Sequence, residues 1–308
     1  MRTGAHIFGG HVSIAGGYKE APARAAAIGG NALQMFSGNP RGWNLPQVAP
    51  AEAGVFMEEA KKLGIETAYF HASYLINLAD SGPNGKHSVE ALIAELNVAE
   101  ALGVRGSIIH LGSFKIREER NPSPSKTWVL PLEKGECIEP TSYIKPATYE
   151  LLISNIKKVL EKTSKNVLFI IENMGTRKIG RALDEIASII KDVNDSRVKV
   201  CLDTCHLHTV GYDLSTPRKL DDFLDMFDKN IGLSRLECFH MNDSRDEFGS
   251  LRDRHENIGE GKVGENVFKL LLNHPKTKHL PFLLEVPGFD DRGPDKENMD
   301  MLKEMVSR

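Results

Sequence analysis

The chain has 308 residues, 39 basic against 42 acidic side chains, a formal net charge of −3 and 41% apolar residues, the balance of a globular protein. Its longest apolar run, Val167 to Ile171, is far too short to span a bilayer, and four cysteines exclude a disulfide scaffold and predict a reducing, cytoplasmic setting. The opening residues carry no apolar stretch of the secretory kind, and a charge so near balance leaves nucleic-acid binding, if there is any, to local patches.

In chain order the sequence alternates β-prone runs with helical stretches. A run over 5–12 is followed by a helical segment ending at Gly29, then a run over 32–36, a helix over 51–62, a run over 67–72 and a helix over 88–102. In that last helix Val89, Leu92, Ile93, Leu96, Ala99 and Leu102 recur at helical spacing and share one face. A run over 106–111 follows, then a helix over 147–163, a run over 167–172, a helix over 182–192 and a run over 198–203. The chain closes with a helix over 218–230, a run over 236–241, a helix over 265–273, a run over 282–286 and a helix over 295–306. A helix ending in Gly shortly before a strand recurs at Gly29, Gly64, Gly103 and Gly232, because glycine accepts the positive φ that stops a helix. Eight strands alternating with helices predict an α/β fold: one (β/α)8 TIM barrel over 1–308, with its active site at the C-terminal strand ends. An open doubly wound sheet would carry a glycine-rich phosphate loop after its first strand, and Gly9-Gly10-His11-Val12-Ser13 is not one. From 114 to 146 the rhythm breaks into a long loop with five of the fifteen prolines, Trp128 and mixed charge, of a length that is usually functional or a surface elaboration.

The strand ends carry the chemistry. Six successive runs finish in His71, His110, Glu172, Asp203, His240 and Glu285; His206 lies three residues past Asp203, and Asp253 and His255 lie beyond the seventh run. In a barrel these ends converge. A lone histidine or carboxylate there is ordinarily solvated or hydrogen-bonded, but five imidazoles and four carboxylates crowded at one mouth oppose one another unless cations neutralise them. Imidazole nitrogen with carboxylate oxygen suits Zn²⁺ or Mn²⁺. Nine donors exceed one coordination sphere, which implies two or three ions and a bridging carboxylate, the arrangement that favours phosphoester hydrolysis. Cys201 and Cys238, two residues before Asp203 and His240, read as small apolar fillers of the barrel. His11 is held open as a residue that orients a ligand. Gly259-Glu260-Gly261-Lys262-Val263-Gly264 matches a dinucleotide fingerprint only in letters, since no strand precedes it.

Three stretches are similar to signature motifs of the endonuclease IV family of apurinic/apyrimidinic endonucleases: His71 to Ala79, Cys201 to His206 running on to Gly211-Tyr212-Asp213-Leu214, and Asn242-Asp243-Ser244 with Asp253 to Gly261. Gly10 to Ser13, Asn39 to Trp43 and Leu284-Glu285 extend the likeness over nearly the whole chain. The resemblance implies a TIM barrel with three Zn²⁺, Mn²⁺ being admissible at one position. It would hydrolyse the phosphodiester 5′ to an abasic site in double-stranded DNA and trim blocked 3′ ends. The resemblance puts one ion on His71, His110 and Glu172. A second falls on Glu172, Asp203, His240 and Glu285, and a third on His206, Asp253 and His255. Glu172 is then the bridging catalytic residue. Arg41, Tyr74 and Leu75 match positions that wedge into DNA at the lesion, core packing being the lesser alternative for Tyr74 and Leu75 beside Ile76 and Leu78. The family also implies a monomer needing no protein partner and no membrane. Ala72 stands where the family often has Asp, Leu111 where Pro is common, and 114–146, with Lys115, Arg117, Arg120 and Lys126, is longer than usual; we expect it to touch DNA or lid the site. The alternative is a metal-dependent sugar isomerase or epimerase on a similar barrel, which needs no third site of the His206, Asp253, His255 kind.

Overall fold

The computed structural model describes residues 6–114 and 148–307, so the long loop expected over 114–146, and the four cations in it, lie beyond the described residues except for Phe114. The barrel strands are β1 (Ile7–His11), β2 (Ala32–Phe36), β3 (Thr67–His71), β4 (Gly106–Ile109), β5 (Leu168–Glu172), β6 (Val198–Asp203), β7 (Leu236–His240) and β10 (Pro281–Leu284). All pair in parallel, and β1 bonds to both β2 and β10, which closes the sheet. The short strands β8 (Asp243–Ser244) and β9 (His255–Glu256) form a separate antiparallel pair in the arm after β7. Around the barrel run α1 (Ala21–Ala27), α2 (Pro50–Lys62), α3 (Pro83–Leu102), α4 (Tyr149–Glu161), α5 (Leu183–Val193), α6 (Thr204–Val210), α7 (Pro217–Asn230), α8 (Glu265–Asn273) and α9 (Lys296–Glu304). None of these helices is long and apolar enough to cross a membrane.

The apolar stripe of α3 faces the barrel as its spacing requires, with Ile93 half-buried at its edge. It stops at Gly103 with φ 68°, and Gly29, Gly64 and Gly232 also take positive φ. Strand alternation splits each strand between two cores. Side chains such as Phe70, Phe169, Phe239 and Phe282 point outward into the layer shared with the helices. Tyr69, Ile108, Ile170, Cys201, Cys238 and Leu283 point inward and fill the barrel. The same alternation carries the residues two places further on into the mouth, so the apolar filling is the floor of the candidate site. As expected, Cys201 and Cys238 belong to that floor and sit side by side in register.

Candidate metal centre

His71, Glu172, Asp203 and His240 are the last residues of their strands, and His110 and Glu285 lie one residue beyond β4 and β10. His206 comes from the first turn of α6. That helix begins because the Asp203 carboxylate caps it, accepting from the His206 amide at 2.9 Å. Asp253 and His255 come from the arm after β7, where β9 pairs with β8. The structure thus brings all nine candidates to one place.

Glu172 is its centre. Fully buried, its Oε2 lies 3.2 Å from His71 Nε2 and 2.8 Å from His110 Nε2, and its Oε1 3.2 Å from His240 Nδ1 and 3.3 Å from His206 Nδ1. Glu285 Oε2 is 3.2 Å from His240 Nδ1. Asp253 Oδ1 lies 3.0 Å from His206 Nε2 and 3.4 Å from His255 Nε2, which in turn is 3.7 Å from Asp203 Oδ2. Donor atoms of His71, His110 and Glu172 fall within 4.8 Å of one another, as do those of Glu172, Asp203, His240 and Glu285, and those of Asp203, His206 and His255.

The protons show which ring nitrogens face the centre. Carbonyls only accept, so the nitrogen facing one carries the hydrogen. His71 Nδ1 donates to the Ala72 carbonyl (2.8 Å), His206 Nδ1 to the Asn173 carbonyl (2.7 Å), His255 Nδ1 to the Glu285 carbonyl (3.3 Å) and His240 Nε2 to Gln34 Oε1 (2.7 Å). Each ring then turns its other nitrogen toward carboxylate oxygens. A lone pair opposite an anion is repulsive unless a proton or a cation lies between them. Nε2 of His110, His206 and His255 are buried and aligned in no hydrogen bond among the described residues. Converging imidazole lone pairs and carboxylate oxygens are the donor set divalent zinc takes, and the residues fit such a centre.

Charge shifts agree. Burial alone would lower His71, but its hydrogen bond to Glu172 and the charge of Glu285 hold it up at about 9. Burial opposes His255 likewise, and Asp203 and Asp253 hold it at about 9. His206 and His240 also rise against burial, driven by the surrounding carboxylates, whereas for His110 burial wins and the shift is downward. Burial would raise Glu172, yet His110 and His240 hold it well below the carboxylate range, and the imidazoles do the same to Asp253 and Glu285. The carboxylates stay ionised in a buried pocket that draws positive charge.

Tyr74 and Leu75 are 59% and 37% exposed, while Ile76 and Leu78 beside them are buried. The core-packing reading of Tyr74 and Leu75 is thereby set aside. Arg41 is exposed on the neighbouring loop after β2, and the Tyr74 ring leans on Phe36 and His71 at 5.4 and 5.8 Å. Where Ala72 lacks a carboxylate to orient His71, its backbone carbonyl does so.

Three amides escaped sequence reasoning. Buried Gln34 holds His240 and also donates to Glu285 and His11. Asn242 donates to Asp203 Oδ2 (2.6 Å) and accepts from the Glu285 amide (2.8 Å). Asn173 accepts from the Asp203 amide (2.7 Å). His11 does stand beside Glu285, at 3.7 Å. Cys205 also approaches Asp253 and His255, but burial, with Asp203 nearby, pushes its thiol up to about 12, which keeps it protonated and a poor ligand. The glycine-rich decoy is explained as well. The amides of Gly259, Gly261 and Val263 donate to the carboxylate of Asp243 at 2.9–3.2 Å, and a Cβ on Gly261 would strike that carboxylate.

Residues 22–305 match the family described as "Xylose isomerase-like TIM barrel". The chain is 36% identical over 294 residues to "Probable endonuclease 4" of Thermosipho africanus, covering 92% of this chain and 93% of that one. The chain belongs to the endonuclease IV family. The crystal structure of endonuclease IV from Thermus thermophilus superposes with a TM-score of 0.78 at 30% identity, over 97% of this chain and 98% of that one. The barrel is also shared by the E. coli 3-keto-D-glucoside 4-epimerase, at a TM-score of 0.64 and 12% identity over 97% and 100% of the two chains; that likeness concerns the fold alone. Membership of the endonuclease IV family is what the motifs at His71, Cys201 and Asn242 imply.

Proposed function

We propose that this chain is a DNA-repair endonuclease that hydrolyses the phosphodiester 5′ to an abasic site in duplex DNA through a trinuclear zinc centre, and that it trims blocked 3′ ends at the same site. The observation that carries the reading is Glu172, a buried carboxylate touched by four imidazoles. Around it His71 and His110 would hold one ion, Asp203, His240 and Glu285 with the shared Glu172 a second, and His206, Asp253 and His255 the third. Mn²⁺ in place of zinc at one position fits the same donors. Bound there, the ions would lower the pKa of a water and offset charge on the leaving oxygen.

The protein's own part is orientation and exclusion. Gln34, Asn242 and the carbonyls of Ala72 and Asn173 fix the directions of His240, Glu285, Asp203, His71 and His206, an arrangement that strengthens metal binding. The apolar floor beneath keeps bulk water out of the barrel. Tyr74 and Leu75 stand exposed beside His71, which suits side chains that fill the gap left by a missing base while Arg41 approaches the backbone; such wedges compensate for lost stacking as DNA bends. A sugar epimerase would have no use for the group formed by His206, Asp253 and His255.

The test is a duplex bearing one abasic site, assayed beside an undamaged duplex and a panel of aldoses. Cleavage leaving a 3′-hydroxyl at the lesion, with aldoses untouched, is expected. The variant Glu172→Gln is expected to lose more than about a hundredfold in rate, beyond the usual cost of an outer partner. Full activity in that variant would contradict the mechanism, and aldose turnover would contradict the function.

A further inference from the structure

The segment 173–182 leads from Glu172 into α5 and is fastened to the candidate centre on two sides. The Ile179 amide donates to the carbonyl of Gly112 at 3.0 Å, two residues past His110. Thr209 Oγ1 donates to the carbonyl of Gly175 at 3.2 Å. Gly175 itself lies so close to His206 that a Cβ there would meet the imidazole and the Thr209 hydroxyl. The Met174 amide closes the turn on the Gly180 carbonyl at 3.1 Å. These bonds hold the loop beside the mouth, and its tip is the exposed pair Arg177 and Lys178.

What sets this pair apart is the lack of a counter-charge. In the arm after β7 the cations are each matched: Arg254 with Asp246 at 2.6 Å, Arg245 with Glu256 at 3.1 Å and Lys262 with Glu247 at 3.6 Å. Arg177 and Lys178 have no ion pair among the described residues. Burial lowers the neighbouring Arg181, Glu185 opposes that shift and the charge of Arg177 adds to it, so the charge of Arg177 is felt within the loop. Thr176 Oγ1 at the base of the tip is buried and makes no hydrogen bond among the described residues. In a chain of net charge −3, screened at physiological salt over about 8 Å, such a pair can attract an anion only at short range.

We infer that Arg177 and Lys178 grip backbone phosphates of the DNA flanking the scissile bond. This rests on the proposed function. β5 lies four strands round the barrel from β1, so the pair stands on a sector of the rim separate from the loops after β2 and β3 that carry Arg41, Tyr74 and Leu75. With the target phosphate at the metal centre, neighbouring phosphates of the same duplex must cross the rim. Contacts of this kind fix register and orientation without reading sequence. Each phosphate neutralised releases counterions and contributes about 0.9 to the slope of log affinity against log salt.

The experiment measures binding of the intact protein to an abasic duplex across a salt series. Arg177→Ser/Lys178→Ser is compared with Lys157→Ser/Lys158→Ser, which removes the same charge from the exposed side of α4. The tip variant is expected to flatten the slope by about 0.9 to 1.8 and to weaken binding most at low salt, the α4 variant to match the parent, and Arg177→Lys to keep most of the slope. Equal slopes in the tip variant and the parent would overturn the inference while leaving abasic-site cleavage intact. A parent protein that neither binds nor cuts the duplex would overturn both.

Discussion

Glu172 shows how much one side chain must do and how much of that is set by its neighbours. Its charge survives full burial because four imidazoles surround it, and three of them, His71, His206 and His240, are aimed by an amide or a carbonyl. Gln34 has the heaviest duty among them, holding His240 while donating to Glu285. Replacing it with Ala frees the His240 ring and leaves the Glu285 oxygen without that donor. Zinc affinity is expected to fall about 10–100-fold, measured by competition with a chromophoric chelator, while the fold persists; unchanged affinity would remove Gln34 from the account. Six of the nine donors were legible because an ionisable residue at the end of an apolar strand stands out, and His206, Asp253 and His255 because they follow the ends of the sixth and seventh strands. Gln34 was not, because its amide sits inside Ala32–Phe36, a run that reads as core. Asn242 was hidden differently: Asn242-Asp243-Ser244 carries the letters of a glycosylation site, and only burial shows that the amide is occupied by Asp203 and Glu285.

At the level of elements, the long helices and all eight barrel strands announced themselves through periodicity and glycine stops, with ends displaced by a residue or two, except that α3 begins at Pro83, five residues before the expected start. α6 did not. Thr204–Val210 is short and rich in poor helix formers, and its cap, Asp203, stands out in the sequence only as a candidate ligand. The strands β8 and β9 are two residues each, below what any alternation can reveal. α9 offers a clean test of capping away from the centre. Asp295 accepts from the amides of Asn298 at 2.9 Å and Phe289 at 2.7 Å. Burial alone would raise it, but these donors hold its carboxyl below the usual range. Asp295→Ala is therefore expected to cost about 1–2 kcal/mol in chemical denaturation at neutral pH. A folded-state pKa below the unfolded one adds stability that is present above the ordinary carboxylate value and is lost as pH falls through the lowered one. The gap between parent and variant should accordingly close in acid. A gap that is constant with pH would mean that the carboxylate's charge plays no part in the cap.

At the scale of the whole molecule, eight strand runs predicted the barrel, but closure is not a property of any run. It rests on β1 finding β10 across the full length of the chain, with Gly9 and Gly10 lying opposite Leu283 and Leu284. The overall charge was equally mute. A nearly neutral chain conceals a mouth of nine ionisable side chains and, on its rim, Arg177 and Lys178, which have no ion pair among the described residues. An ion that these donors hold only when folding has gathered them would link metal binding to folding: held at a hundred times its Kd, it adds about 2.7 kcal/mol. Chelation is expected to lower Tm by about 5 °C or more, and added zinc to restore it.

The central claim is that these nine side chains gather around shared cations, and metal stoichiometry tests it most directly. Elemental analysis of protein saturated with zinc and freed of excess is predicted to return about three ions per chain, with a clear loss in Glu172→Gln and in Asp253→Ala. One ion or none, or a metal content indifferent to both substitutions, would contradict it.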